Sequence, residues 1–264
     1  MNTDNQFPFK LFLFFLSLAF PFYAGAQTTS YNQLCNEVQF ARSFSDKWAG
    51  ELFLGGTFSS TANEKRVLKT NIQRYASVWG HYFLSARWKF TGGFAYYYNK
   101  DVPDIGQYFS PEYRLSLQAT YYIHKTWYTL FTRMRGEFRE IMNADSVFQF
   151  KYRYRQMIKF VKPLNSQTLR QGIFYLLATE ELLFKPEAKT KGVTFFDRNR
   201  FEIGGGYLIT DDIQVELAYL NEFIPRDDGN EMYNALEVTL TFTNILSNLK
   251  KSLMPGSKKE NQPE

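Results

Sequence analysis

The chain has few of the residues that build redox, metal or nucleophilic sites. Its 264 residues include one cysteine, Cys35, and two histidines, His81 and His124. A single cysteine excludes an internal disulfide, and these three residues do not make a familiar zinc ligand set. The residues around either histidine also do not indicate a Ser–His–acid catalytic triad. We therefore expect no metal, no cofactor and no catalytic residue.

Long apolar runs are also scarce. The longest, residues 11–22 (LFLFFLSLAFPF), follows a short polar stretch ending in Lys10 and precedes Ala24-Gly25-Ala26. This order is typical of a secretory signal, and a membrane-spanning helix would need about 20 apolar residues. We expect residues 1–26 to be a cleaved signal peptide.

Basic residues are in only mild excess over acidic ones. There are 31 basic and 26 acidic residues, a formal charge of +5, so the clustered bases of a nucleic-acid-binding face are missing. Aromatic residues are abundant instead, with 27 Phe, 18 Tyr and 4 Trp beside a mean hydropathy of -0.37. An alternating barrel wall, apolar on one side and polar on the other, produces this combination. A secreted soluble β-sandwich would alternate too and is the alternative fold.

Most of the chain alternates with a period of two. Ile213, Val215 and Leu217 share one face, while Gln214 and Glu216 share the other. This pattern predicts a β-strand, because successive side chains point to opposite faces. Eleven segments follow it: 33–44, 48–58, 71–82, 87–98, 111–123, 127–139, 149–160, 169–182, 197–208, 213–223 and 234–246. Most exceed the roughly 9–11 residues that a tilted strand needs to cross a membrane.

The connections between these segments predict an orientation. Short turns alternate with longer polar loops, as in outer-membrane barrels with short periplasmic turns. Trp48, Trp88 and Trp127 each follow a short turn. Indole rings collect at membrane interfaces, so we expect these three to form a girdle at the periplasmic side.

The predicted fold is all-β: a single antiparallel transmembrane barrel of 10–12 strands over residues 27–246. Bacterial single-chain barrels have an even number of strands, so we prefer 12, with residues 27–32 as a short extra strand. Residues 247–264 form a polar tail. We expect the N-terminus and this tail on the periplasmic side.

Charged residues on the lumen face are the candidate functional site. The expected network comprises Glu112, Arg114, Arg133, Arg135, Glu137, Arg139, Arg153, Arg155, Arg200 and Glu202. One hypothesis is structural: Arg–Glu pairs fill a narrow barrel and hold it closed, as side chains do in small barrels. The other is a channel, in which surplus bases attract anions. An outer-membrane lipid-modifying enzyme is a further alternative.

Several short motifs, taken in order, resemble a known family. They are Lys47-Trp48, Glu112-Tyr113-Arg114, the run from Arg133 to Arg139, Arg153-Tyr154-Arg155, Glu180-Glu181, Asn199-Arg200 and Gly204-Gly205-Gly206-Tyr207. Together they resemble the domain of unknown function 2490, a group of predicted outer-membrane barrels of Gram-negative bacteria. The resemblance implies fold and location, and it brings no known reaction.

The expected partners follow from this location. They are the lipid bilayer and the lipopolysaccharide of the outer membrane, with a small solute as a further possibility. We expect no nucleic-acid partner.

Overall fold

Eleven β-strands form one closed barrel in the computed structural model, which describes residues 28–61, 64–186, 195–226 and 229–244. The strands are β1 (Thr28–Ser43), β2 (Trp48–Ser59), β3 (Asn71–Phe83), β4 (Trp88–Asn99), β5 (Glu112–Lys125), β6 (Thr129–Met142), β7 (Phe148–Pro163), β8 (Phe174–Lys185), β9 (Phe195–Thr210), β10 (Ile213–Ile224) and β11 (Asn230–Thr243). In this part of the chain no helix is long and apolar enough to cross a membrane. The expected signal peptide and tail lie outside it.

The barrel closes through one parallel pair of strands. Each strand pairs antiparallel with its neighbour in sequence, and β1 then pairs parallel with β11. The register of this seam runs without interruption from Thr28 opposite Asn230 to Ala41 opposite Thr243. A closed barrel excludes the β-sandwich. The expectation of a purely antiparallel barrel is wrong, because an odd number of strands can close only with two parallel neighbours.

The preferred count of twelve strands is also wrong. Residues 28–32 do not form a separate strand; they extend β1, and Asn32 lies opposite Asn234 of β11. Consequently Thr28 and Thr243 lie at opposite ends of the barrel. The expectation that both chain ends lie on one side therefore fails for the described strands.

The two faces of the wall differ as the alternation predicts. Large apolar side chains point outward and are exposed, among them Leu52, Phe90, Phe94, Leu115, Leu117, Phe138, Leu176, Ile203 and Leu217. The inward residues of the same strands are mostly polar, as with Glu112, Arg114 and Ser116 of β5, which are buried. Such a wall is suited to an apolar environment outside the barrel and a hydrated interior.

Inward aromatic rings lie flat on glycines of the neighbouring strand. Tyr175 faces Gly206 across β8 and β9, and a Cβ added to that glycine would stand 2.1 Å from the tyrosine hydroxyl oxygen. Trp79 covers Gly93 in the same way, with 2.1 Å to a ring carbon. The missing side chain makes room for a ring that would otherwise project into the lumen.

One connection departs from the expected alternation of lengths. A short link was expected over residues 161–168 with the next strand beginning at 169, but β7 ends at Pro163 and β8 begins at Phe174. The segment between them is held by side-chain bonds: Asn165 donates to the carbonyl of Gly172 (3.1 Å) and accepts from the amide of Phe174 (3.0 Å). These bonds replace strand pairing, which the sequence pattern does not reveal.

A charge network in the barrel lumen

Alternation directs the charged residues of five consecutive strands, β5 to β9, toward one side of the lumen. Facing residues are in register, so Arg114 lies opposite Arg139, and Arg135 lies opposite Arg155. Like charges therefore stand side by side, and only well-placed carboxylates can offset their repulsion. Three carboxylates, Glu112, Glu137 and Glu181, provide most of this compensation.

Glu112 sits between two arginines near the end of the barrel with the long connections. Arg139 donates to it through two nitrogens, at 2.7 and 2.8 Å, in a bidentate pair. Arg114 donates at 2.8 Å from its Nε, and its guanidinium also lies 4.1 Å from the centre of the Tyr97 ring. Bidentate arginine–carboxylate bonds are strong and fix the orientation of both groups.

Glu137 is the centre of the network. Its side chain has an exposed fraction of 0%, and it accepts hydrogen bonds from Arg153 (2.6 Å) and Arg155 (2.9 Å). Two further guanidiniums, those of Arg114 and Arg135, lie 3.8 and 3.7 Å from it. One carboxylate thus offsets charge contributed by β5, β6 and β7.

The neighbouring residues Glu180 and Glu181 of β8 point to opposite faces. Glu181 faces the lumen, where it accepts hydrogen bonds from Arg133 and from Arg155, the latter at 3.1 Å from Nε. Glu180 faces outward and accepts a hydrogen bond from Asn199 of β9. The acidic pair of the sequence is therefore two separate sites.

Two carboxylates of later strands complete the network. Asp197 of β9 accepts a bond from Arg198 (3.1 Å) and lies 3.8 Å from Arg153. Glu222 of β10 accepts bonds from Arg198 (2.7 Å) and Arg200. The sequence predicts that Glu222 faces the same interior, but it does not predict Asp197.

Among the ten expected residues, nine join ion pairs. Glu202 lies on the lumen face of β9, but in the described part of the chain it has no basic side chain within ion-pair distance. The local excess of bases on β5 to β7 is offset in part by Glu181 of β8 and Asp197 of β9, whereas Glu222 pairs with arginines of β9. Alternation places Glu181 and Glu222 on the lumen face of their strands, but it does not identify the arginines that they bind.

The three girdle tryptophans lie at the end of the barrel with the β1–β2 and β3–β4 turns. Trp48 and Trp88 are the first residues of β2 and β4, and each packs on a tyrosine of the next strand with ring centres 4.8 Å apart. Trp127 lies in the turn before β6 and is 45% exposed. All three lie at the same end of the barrel, and their role at a membrane interface stays a prediction.

The two histidines occupy different environments. His81 is buried in the lumen, with Nδ1 2.9 Å from the Thr91 hydroxyl and Nε2 3.0 Å from a Glu51 carboxylate oxygen. His124 lies at a turn, where it stacks on Tyr128 with ring centres 3.7 Å apart. Within the described residues, groups of three or more His, Cys, Asp or Glu side chains suited to a metal are absent.

Sequence comparison identifies the family. The model of a family described as a protein of unknown function, DUF2490, matches residues 32–233. The chain belongs to this family. The resemblance inferred from the ordered motifs of this DUF2490 protein is thus confirmed, and its barrel agrees with the fold predicted for the family. A search of curated proteins finds no match.

Two solved structures are similar to this DUF2490 protein. A bacterial polysaccharide outer membrane secretin is 14% identical, with 76% of this chain and 66% of the secretin covered and a TM-score of 0.48. LpxR from Salmonella typhimurium is 10% identical, with 78% and 86% covered and a TM-score of 0.47. This chain spans just under two thirds of the secretin, and likeness at these scores supports no inference about function.

Proposed function

We propose that this DUF2490 protein is a structural barrel of the outer membrane whose lumen does not conduct ions. The exposed apolar outer wall and strands of 12 to 16 residues support a place in a bilayer. The buried position of Glu137 among four arginines supports a fixed, non-conducting interior, because mobile ions would compete with these short ion pairs.

The orientation belongs to the same proposal. Export would use residues 1–26 as a cleaved signal, and the turns beside the girdle tryptophans would face the periplasm, with the tail at residues 247–264. Because β1 and β11 are parallel, the start of β1 would then lie at the outer surface, near lipopolysaccharide. Membrane fractionation tests this location: recovery of the mature chain as a soluble monomer without detergent would contradict it.

Conductance tests the closed lumen. We expect pure refolded barrel to give no single-channel steps in planar bilayers, because most arginines of the lumen are bound to carboxylates and leave no continuous row of free charge. The Glu137→Gln variant is the sensitive comparison, since it frees two hydrogen-bonded arginines, and Glu64→Gln in an exposed connection is its control. Anion-favouring steps from the unmodified protein would support a narrow anion channel instead.

The lipid-modifying enzyme is the second candidate from the sequence, and no observation on the described residues favours it. His81, Thr91 and Glu51 face the lumen and not the outer wall, where an acyl chain would lie. The lipid profile of cells with and without the gene tests this candidate, because a missing acyl species would support the enzyme.

A further inference from the structure

The lumen holds a cavity beside the charge network. Its volume is about 680 Å³, within the range of small-molecule sites. It extends from Gln107 and Arg226 at the end with the long connections to Glu51 and Lys89 toward the other end. Eight arginines of the network line this cavity, together with two of its carboxylates, Glu112 and Glu222, so the cavity borders the network directly.

One side of this cavity carries acids that the network does not use. Glu37 of β1 and Glu237 of β11 both line it, and the parallel seam brings their strands together. Glu37 accepts a 2.5 Å hydrogen bond from the Tyr75 hydroxyl. Across the described residues, neither carboxyl group has a basic side chain within ion-pair distance, so both are available to a cation in the cavity.

The other side carries arginines whose bonding capacity is not filled. Arg133 and Arg135 of β6 line the cavity, and β6 is on the opposite side of the closed strand order from β1 and β11. The Nε of Arg133 is buried and has no hydrogen-bond partner among the described residues. Arg135 lies 4.7 Å from the centre of the Trp79 ring, and its nearest carboxylate oxygen, on Glu137, is 3.7 Å away.

We propose that this cavity binds a small zwitterion, with its ammonium group at Glu37 and Glu237 and its carboxylate or phosphate at Arg133 and Arg135. Charges of opposite sign on facing walls create a field across the lumen, and low-dielectric walls strengthen it. A zwitterion aligned with this field satisfies both walls at once, whereas an ion of one sign leaves the other wall without a partner. The Trp79 ring gives the connecting carbon chain an apolar surface.

A series of ω-amino acids tests the proposal on refolded barrel in detergent. Glycine, 4-aminobutyrate and 6-aminohexanoate vary the distance between the two charges, while hexylamine and hexanoate each carry one charge. We expect calorimetry to detect at least one zwitterion that binds about tenfold more tightly than both singly charged compounds. Phosphoethanolamine in a parallel titration distinguishes a phosphate from a carboxylate. Equal binding of zwitterions and singly charged compounds, or no binding at millimolar concentration, would overturn the proposal.

Charge-neutral variants locate the site. Glu237→Gln and Arg135→Gln should each weaken zwitterion binding about tenfold, which is the effect of losing one charge-assisted contact of about 1.4 kcal/mol. Glu216→Gln is the matched control, because Glu216 faces the lumen, bonds Tyr175 and does not line the cavity. Migration of the folded band on gels verifies that each variant is a barrel. Unchanged affinity in both test variants, or an equal loss in the control, would contradict the assignment.

Discussion

The Glu137 side chain has no exposed surface, and four arginines of the lumen lie within 4 Å of it. Removing one partner of a buried ion pair destabilises a protein by more than the intact pair stabilises it, because the remaining charges stay buried without compensation. Four guanidiniums within 4 Å make this cost larger at Glu137 than at any surface carboxylate.

We therefore predict that Glu137→Gln destabilises the barrel by about 3 kcal/mol, the lower part of the range for a broken buried pair. The measurement is the temperature at which the folded band is lost on gels. Arg135→Ala should lower that temperature less, since Arg135 is 3.7 Å from Glu137 and makes no hydrogen bond to it. Glu64→Gln, in the connection after β2 and outside the barrel wall, should leave it unchanged. A normal melting temperature for Glu137→Gln would show that the network is not needed for stability.

Two glycines give a paired test of the ring-on-glycine contacts. Gly206→Ala places a methyl group 2.1 Å from the Tyr175 hydroxyl, so the ring must move, and we predict a loss of about 1–3 kcal/mol. Gly136→Ala meets nothing within 4 Å and should be neutral or stabilising. Thermal melting of both variants compares the same chemical change, and equal melting temperatures would refute the role of Gly206.

The sequence predicts single residues well where only alternation matters. It assigns Glu112 and Arg114 to the lumen face, where the structure buries both side chains. It cannot identify Asp197 as a network member. Asp197 and Arg198 both reach the lumen because a register shift between β8 and β9 interrupts the alternation, and such a shift has no period to detect.

At the scale of elements, the long connections bond to each other. The Thr61 hydroxyl, after β2, donates to Asp104 in the β4–β5 connection at 3.1 Å and accepts from the Glu64 amide at 3.0 Å. Side-chain hydrogen bonds from Arg66 and Lys69 hold the pKa of Glu64 below its ordinary value. The carboxylate is thus ionised at neutral pH, and these bonds are lost only as the pH falls through that lowered value.

Thr61→Val should loosen this connection without weakening the barrel. Loss of about 1 kcal/mol of hydrogen bonding would speed trypsin cleavage after Lys65, Arg66 or Lys69 by roughly fivefold, because cleavage requires local opening. Thr70→Val is the control, since the described residues give its hydroxyl no hydrogen bond. Equal cleavage rates for both variants would show that the Thr61 bond does not restrain the connection.

Element boundaries show where sequence patterns end. The segment predicted over 213–223 agrees with β10, Ile213–Ile224, because a tight turn at Asp211 and Asp212 and a polar loop bound it. The predicted start of β8 is five residues too early, since the apolar–polar order of Leu169 and Arg170 is not followed by strand pairing. Alternation of residue types shows which residues could form a strand, and backbone hydrogen bonds determine which of them belong to it.

For the whole molecule, the parallel seam is the feature that no local pattern encodes. Alternation fixes faces and lengths, but the choice between closing eleven strands and adding a twelfth depends on which chain ends meet. The even-number rule favoured the wrong answer.

Cys35 offers a direct test of the seam. Glu237 is its partner across β1 and β11, and both side chains face the lumen. Adjacent strands bring Cα atoms within the distance that a disulfide spans. We predict that Glu237→Cys forms a disulfide with Cys35 on mild oxidation, detected by mass spectrometry after digestion. Thr241→Cys, farther along the same face, should not. Crosslinking at position 241 but not at 237 would contradict the register.

The partners across the seam are also the most distant along the polypeptide, with Thr28 beside Asn230. Every other strand pair joins consecutive strands and can form outward from the turn between them. The β1–β11 pair can form only after the ten consecutive pairs have curved the sheet far enough to bring its two edges together. The entropy cost of closing so long a stretch of chain therefore makes this the last strand pair to form. For the same reason, an assembly arrested before completion would present two bare edges, and there a second unfinished molecule could add its own strand.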